Sequence, residues 1–99
     1  MITTKQKVHL RSLAHSLKPV FQIGKEGISA NQIIDLSNYL HKYELMKVSI
    51  LNNCLESPEN LIAEIEANDI MVIQLIGKTL VLYKQNKKLA KSIDLSKIK

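Results

Sequence analysis

Tryptophan is absent from this chain, and its aromatic residues are only Phe21, Tyr39, Tyr43 and Tyr83. Proteins that read single-stranded nucleic acid by stacking bases present several exposed aromatic side chains, so this set argues against that mode. Cysteine occurs once, at Cys54, which excludes an internal disulfide and fits a reducing compartment. The longest apolar run, Ile70–Ile73, is far too short to span a bilayer. No apolar segment follows Met1-Ile2-Thr3-Thr4-Lys5 as it would in a secretory signal. No membrane partner is expected, and the expected location is the cytoplasm.

Chemistry-bearing patterns are equally sparse. His9, His15 and His41 are too scattered to form a recognisable metal site with Cys54. No His-x-Glu accompanies a Cys-x-x-Cys, which excludes the zinc deaminase signature. The acids show no paired acid–base arrangement, and neither a Walker pattern nor a third glycine of a dinucleotide loop is present. The chain is therefore expected to be no enzyme, with no cofactor, no metal and no small-molecule substrate. A small nucleic-acid enzyme ranks last among the readings.

Acidic residues are missing from the first 25 positions, where Lys5, Lys7, Arg11, Lys18 and Lys25 stand alone. Residues 26–77 carry eight acids against Lys42 and Lys47, and residues 78–99 carry seven lysines against Asp94. The net charge of +5 is thus unevenly spread, and folding could gather it into one positive face that attracts polyanions. The opposite reading makes the acidic middle the active surface of a protein–protein adaptor.

Periodicity supplies the elements. Thr3-x-x-Gln6 is a capping box, after which Leu10, Leu13, Ala14 and Leu17 mark one helical face. Pro19 ends this helix near Lys18, and Lys7, Arg11, His15 and Lys18 form a basic stripe beside the apolar one. Val20–Ile23 reads as a strand. Ser29-x-x-Gln32 caps a second helix with Ile33, Leu36, Leu40 and Tyr43 on its core side. Leu45–Leu51 is a strand in which Met46, Val48 and Ile50 alternate with Lys47 and Ser49. Ser57-Pro58 starts a short third helix with Leu61, Ile62 and Ile65 inward. Two strands, Ile70–Ile76 and Thr79–Lys84, flank Gly77-Lys78, the length of a tight hairpin with glycine placed for a type II′ turn. The order α-β-α-β-α-β-β predicts a compact single α/β domain, with a four-stranded mixed sheet and packed helices. Residues 1–84 form the domain, and residues 85–99 are expected to be a basic tail, partly disordered.

Gly24-Lys25-Glu26-Gly27 is the most informative loop. Glycine has no Cβ, so a phosphate can approach its amide, and the loop feeds a helix N-terminus that favours anions. Lys25 adds a positive charge, whereas Glu26 opposes it unless it points away or accepts a ribose hydroxyl. Taken alone, Gly-x-x-Gly is a turn before it is a site.

Four separated motifs change that weighting. Thr3-Thr4-Lys5-Gln6 with Leu10-Arg11-Ser12-Leu13-Ala14, then Val20–Gly27, Glu44–Val48 and Ile76–Lys84, resemble the bacterial YhbY proteins, which consist of a single CRM (chloroplast RNA splicing and ribosome maturation) domain. The resemblance covers about residues 3–84. It implies an RNA-binding fold similar to the C-terminal domain of bacterial translation initiation factor three. It also implies association with rRNA in precursors of the large ribosomal subunit, and a role in ribosome assembly. It assigns RNA contact to Gly24, Lys25, Glu26 and Gly27, although Glu26 departs from the family's basic or neutral loop. Joined with the residue-level reading, the expected RNA surface comprises this loop, the helix stripe Lys7, Arg11 and Lys18, and Lys78 and Lys84 of the hairpin. Contact with structured RNA through phosphates, 2′-hydroxyls and shape is expected, from a monomeric protein.

Overall fold

The computed structural model describes residues 2–86 together with Ile93. Seven elements follow in the expected order: α1 (Thr4–Ala14), β1 (Pro19–Ile23), α2 (Ala30–Tyr43), β2 (Leu45–Ile50), α3 (Pro58–Glu66), β3 (Met71–Ile76) and β4 (Thr79–Tyr83). Apart from Gln85, Asn86 and Ile93, the expected tail lies outside the described residues.

Each helix starts where its cap dictates. Thr3 Oγ1 accepts the Gln6 N–H at 3.1 Å, and Gln6 Oε1 accepts the Thr3 N–H at 2.9 Å. Ser29 and Gln32 repeat this reciprocal box at the start of α2. Ser57 Oγ accepts the Asn60 N–H, with Pro58 in the first turn of α3. Each cap satisfies donors that a helix terminus leaves open, a contribution of about 1 kcal/mol apiece.

The strands form one mixed sheet in the order β1-β2-β4-β3. β1 and β2 are parallel, and β4 is antiparallel to both β2 and β3. Both crossovers, β1-α2-β2 and β2-α3-β3, move the same way across the sheet. The common hand of such connections places α2 and α3 on one face. There Leu36, Leu40, Leu61 and Ile65 pack on Ile23, Met46, Val48, Ile50, Leu80 and Leu82. The other face is left to α1, whose Leu10 and Ala14 pack on Leu45, Ile73, Val81 and Tyr83. The central strands β2 and β4 are covered on both sides, and each fully buried aliphatic side chain contributes about 1.5–3 kcal/mol.

Three expectations need correction. First, α1 ends at Ala14 rather than Lys18. The Leu17 N–H bonds to the Ala14 carbonyl at 2.9 Å, closing a tight turn, and Pro19 already belongs to β1. Lys18 is therefore not on the helix. Second, Leu13 and Leu17 are 40% and 38% exposed, because α1 touches the sheet through Leu10 and Ala14. Third, Tyr43 is 59% exposed. The buried seam of α2 runs Leu36, Leu40 and then Glu44, at spacings of four, so the cap residue and not Tyr43 enters the core.

Glu44 takes the left-handed conformation, φ 63°, that turns the chain into β2. That conformation costs a non-glycine residue about 1–2 kcal/mol. Its carboxylate accepts the backbone N–H groups of Asn86 (2.7 Å) and Ile93 (2.6 Å), and its carbonyl accepts that of Lys84 (2.9 Å). Charge-assisted bonds of this kind offset both the strain and the burial of the carboxylate.

Candidate nucleic-acid interface

β1 and β2 finish at the same edge of the sheet, and two adjacent hydrogen bonds join what lies beyond them. The Ile50 N–H donates to the Lys78 carbonyl at 2.7 Å, and the Leu51 N–H donates to the Ile23 carbonyl at 2.9 Å. The end of β2 therefore stands between the β3–β4 turn and the loop after β1. Lys25 and Lys78, 53 positions apart in the chain, project from one edge, both exposed.

Gly24–Gly27 is a closed turn, with the Gly27 N–H on the Gly24 carbonyl at 3.1 Å. The Leu55 N–H caps it from outside by bonding to the Lys25 carbonyl at 3.3 Å. Its two glycines differ in kind. Gly27 is buried at φ 74°, and a Cβ there would meet Glu56 Cγ at 2.8 Å. Gly24 has no positive φ, and a Cβ there would meet only Leu51 Cδ1 at 3.9 Å, an ordinary contact. The fold thus requires glycine at 27 but not at 24. Gly77 at φ 57° with Lys78 outside positive φ has the sign pattern of a type II′ turn.

The loop opens onto the start of α2. The capping box takes up the amides of Ser29 and Gln32, which leaves those of Ala30 and Asn31 outside it. No acid lies in this first turn, so nothing there opposes the positive end of the helix dipole. The loop, Ser29 and Gln32 line a shallow concavity, and Gln32 Nε2 also donates to the Gln22 carbonyl at 3.3 Å. Glu26 is exposed beside Lys25.

A second cationic feature lies on the α1 face. α1 leaves part of the sheet uncovered, and Arg11, Ser12 and His15 form one wall of a groove floored by Lys47, Gln74, Ile76 and Val81. Pro19 is in register with Lys47, so Lys18 sits beside this groove although it is off the helix. Lys7 is half-buried one helical turn before Arg11. Lys84 is at the other end of β4 from Lys78, next to Glu44, and is not brought to the loop edge.

Lys47 and Gln74 are groove residues that sequence patterning did not single out as site residues. The alternation of β2 puts Lys47 opposite Met46 and Val48, but only packing shows that Arg11 faces it. Gln74 is harder to foresee. The β3–β4 register shifts between Val72 and Gln74, and this irregularity turns both Ile73 and Gln74 to the α1 face.

Among the described residues, no group of three or more His, Cys, Asp or Glu gathers as it would around a metal. No described helix is long and apolar enough to cross a membrane. Cys54 is half-buried against the core, its thiol 3.7 Å from the Glu56 carbonyl oxygen.

A family model of the CRS1/YhbY (CRM) domain matches residues 2–84. A Bacillus subtilis protein named "Probable RNA-binding protein YqeI" is 46% identical over 89 residues, covering 88% of this chain and 92% of its own. A Haemophilus influenzae protein named "RNA-binding protein" is 34% identical over 84 residues, covering 84% of this chain and 85% of its own. The solution structure of SAV1595 from Staphylococcus aureus superposes with a TM-score of 0.76 at 39% identity, over 94% of this chain and 98% of that one.

Proposed function

The chain belongs to the CRS1/YhbY (CRM) domain family, and we propose that it is a non-catalytic RNA-binding protein of the cytoplasm that joins precursors of the large ribosomal subunit and assists their assembly. The names of the relatives support RNA as the ligand. The observation that carries the reading is the shared edge on which the Gly24–Gly27 loop and the Lys78 turn are sewn to the end of β2.

Lys25 and Lys78 neutralise phosphates at this edge, and Arg11, Lys18 and Lys47 continue the positive path into the groove beside α1. Lys7 extends the path by one helical turn, and Lys84 lies outside it. Gly24 lets the RNA backbone come close to a bare main chain. Gly27 holds the turn in shape. Glu26 accepts a ribose 2′-hydroxyl, a contact DNA does not offer. The protein acts as a monomer, needs no cofactor and grips structured rRNA mainly by charge and shape.

Gradient sedimentation of extracts from growing cells, at low salt, tests the proposal. The protein should co-migrate with precursors of the large subunit and be released by ribonuclease. Migration solely as free protein overturns the assembly role. A complex that survives complete RNA digestion assigns the protein to protein–protein contacts instead.

A further inference from the structure

Phe21, Tyr39 and Tyr43, three of the four aromatic residues, meet along the side of α2. Phe21 and Tyr39 pack edge to face, with centroids 5.9 Å apart and planes at 88°. Tyr39 and Tyr43 lie 4.6 Å apart with planes inclined by 38°. Phe21 and Tyr39 are anchored against the core, while Tyr43 is 59% exposed. The exposed ring is thus held from behind by a second ring, itself held by a third. Asp35, Asn38 and Lys42 follow helical spacing on the same face and line the same shallow concavity.

Such a set has a specific chemical use. A ring held in place offers a stacking surface at little further cost in side-chain freedom. Asn38 can both donate and accept, and Asp35 accepts, so together they can meet the polar edge of a base. Lys42 supplies a cation for the adjoining phosphate. A protein partner would call for a broader apolar surface than two tyrosines bordered by an acid, an amide and a lysine. We propose that this face of α2 is a second RNA contact that takes one unpaired nucleotide, its base stacked on the exposed Tyr43 ring that Tyr39 backs, and its phosphate on Lys42. The inference rests on the RNA-binding reading but not on the loop. Tyr43 lies about 20 Å along α2 from the Ser29 cap, by the rise of 1.5 Å per residue. One folded RNA can therefore engage the loop edge through phosphates and this face through a bulged or looped-out base.

The test compares two probes on the full chain: a single-stranded oligoribonucleotide carrying one 2-aminopurine, and a blunt RNA duplex of the same sequence. The native chain should quench the 2-aminopurine fluorescence on binding. Tyr43→Ala should weaken single-strand affinity about 5- to 100-fold, the range for losing one base–aromatic stack. It should leave duplex affinity unchanged, and Tyr43→Phe should restore single-strand binding. Circular dichroism checks that the variants are folded, as expected for so exposed a side chain. A folded Tyr43→Ala that binds both probes like the native chain overturns the platform. Native binding to the duplex alone also overturns it, with the loop-edge reading left standing. Failure of the native chain to bind either RNA overturns both. A change of oligomeric state in Tyr43→Ala, without a change in RNA affinity, reassigns the face to protein contact.

Discussion

Gly27 and Glu56 are packed so closely that a Cβ on the glycine would lie 2.8 Å from the glutamate Cγ. Gly27 is also at φ 74°. Gly27→Ala should therefore lose about 1–2 kcal/mol from backbone strain, and more from the contact. Glu56→Ala in the same chain should recover only the contact share. Gly24→Ala should unfold within about 0.5 kcal/mol of the native chain yet bind RNA more weakly. Thermal unfolding and RNA titration on these variants separate the glycine that shapes the loop from the one that leaves room for a ligand. Full RNA affinity in Gly24→Ala would remove close backbone approach from the proposal.

Charge at the loop edge should appear as a salt dependence. If about five phosphates are neutralised, log affinity should fall against log salt with a slope of roughly −3.5 to −4.5. Replacing Arg11, Lys25 and Lys78 together by Ala should make that slope about 2–3 units shallower. Lys84→Ala should change it little, because Lys84 lies at the far end of β4. Equal slopes for the two variants would contradict the surface assigned here.

Glu44 ties the end of α2 to the chain beyond β4. Glu44→Ala keeps the left-handed backbone but loses the bonds to the Asn86 and Ile93 amides. It should cost about 2–4 kcal/mol by chemical denaturation, since hydrogen bonds to a charged group are each worth roughly 1.5–3 kcal/mol. Hydrogen exchange at those two amides should rise together, and Glu44→Gln should lose less than Glu44→Ala.

Tyr83 is buried among Leu10, Leu45 and Ile73, and among the described residues its hydroxyl has no hydrogen-bond partner. Burial, and secondarily the Glu44 carboxylate, pushes its phenol up from 10.0 to about 12. The folded state thus holds this proton more tightly than the unfolded chain does. Its titration therefore leaves stability unchanged below pH 10 and lowers it as pH rises from 10 through 12, where the unfolded chain ionises before the folded one. Tyr83→Phe should raise stability at neutral pH by about 1 kcal/mol, because an unsatisfied buried group is removed. It should also flatten the alkaline decline. Ultraviolet titration should show one tyrosine ionising late, and Tyr83→Phe should abolish that step.

Local interactions made much of the fold legible. Thr3, Ser29 and Ser57 are read as caps because each bonds to an amide three residues away. Gly77 is read as a turn residue because its conformation is set by its own missing side chain. Periodicity puts Tyr43 on the core side, where the structure puts Glu44, because it measures only angles around a helix. Leu36 and Leu40 are compatible with a seam continuing at 43 or at 44, and the β2 junction chose Glu44. Lys18 leaves the helix for a related reason. Pro19 sets a latest end for the helix, but says nothing of how much chain the turn into β1 consumes.

The amino-acid sequence by itself determined the order of elements, their caps, the glycine turns and the family, since each depends on residues close together or on motifs in series. Only the tertiary structure decided which distant residues share a surface. Strand order put Lys25 and Lys78 on one edge and Lys84 at the other end. A register shift brought Gln74 towards Arg11 and Lys47. Packing of α2 along β1 gathered Phe21, Tyr39 and Tyr43 in a chain poor in aromatics. Such neighbourhoods arise from burying both faces of one sheet at once, a condition that no local stretch of sequence records.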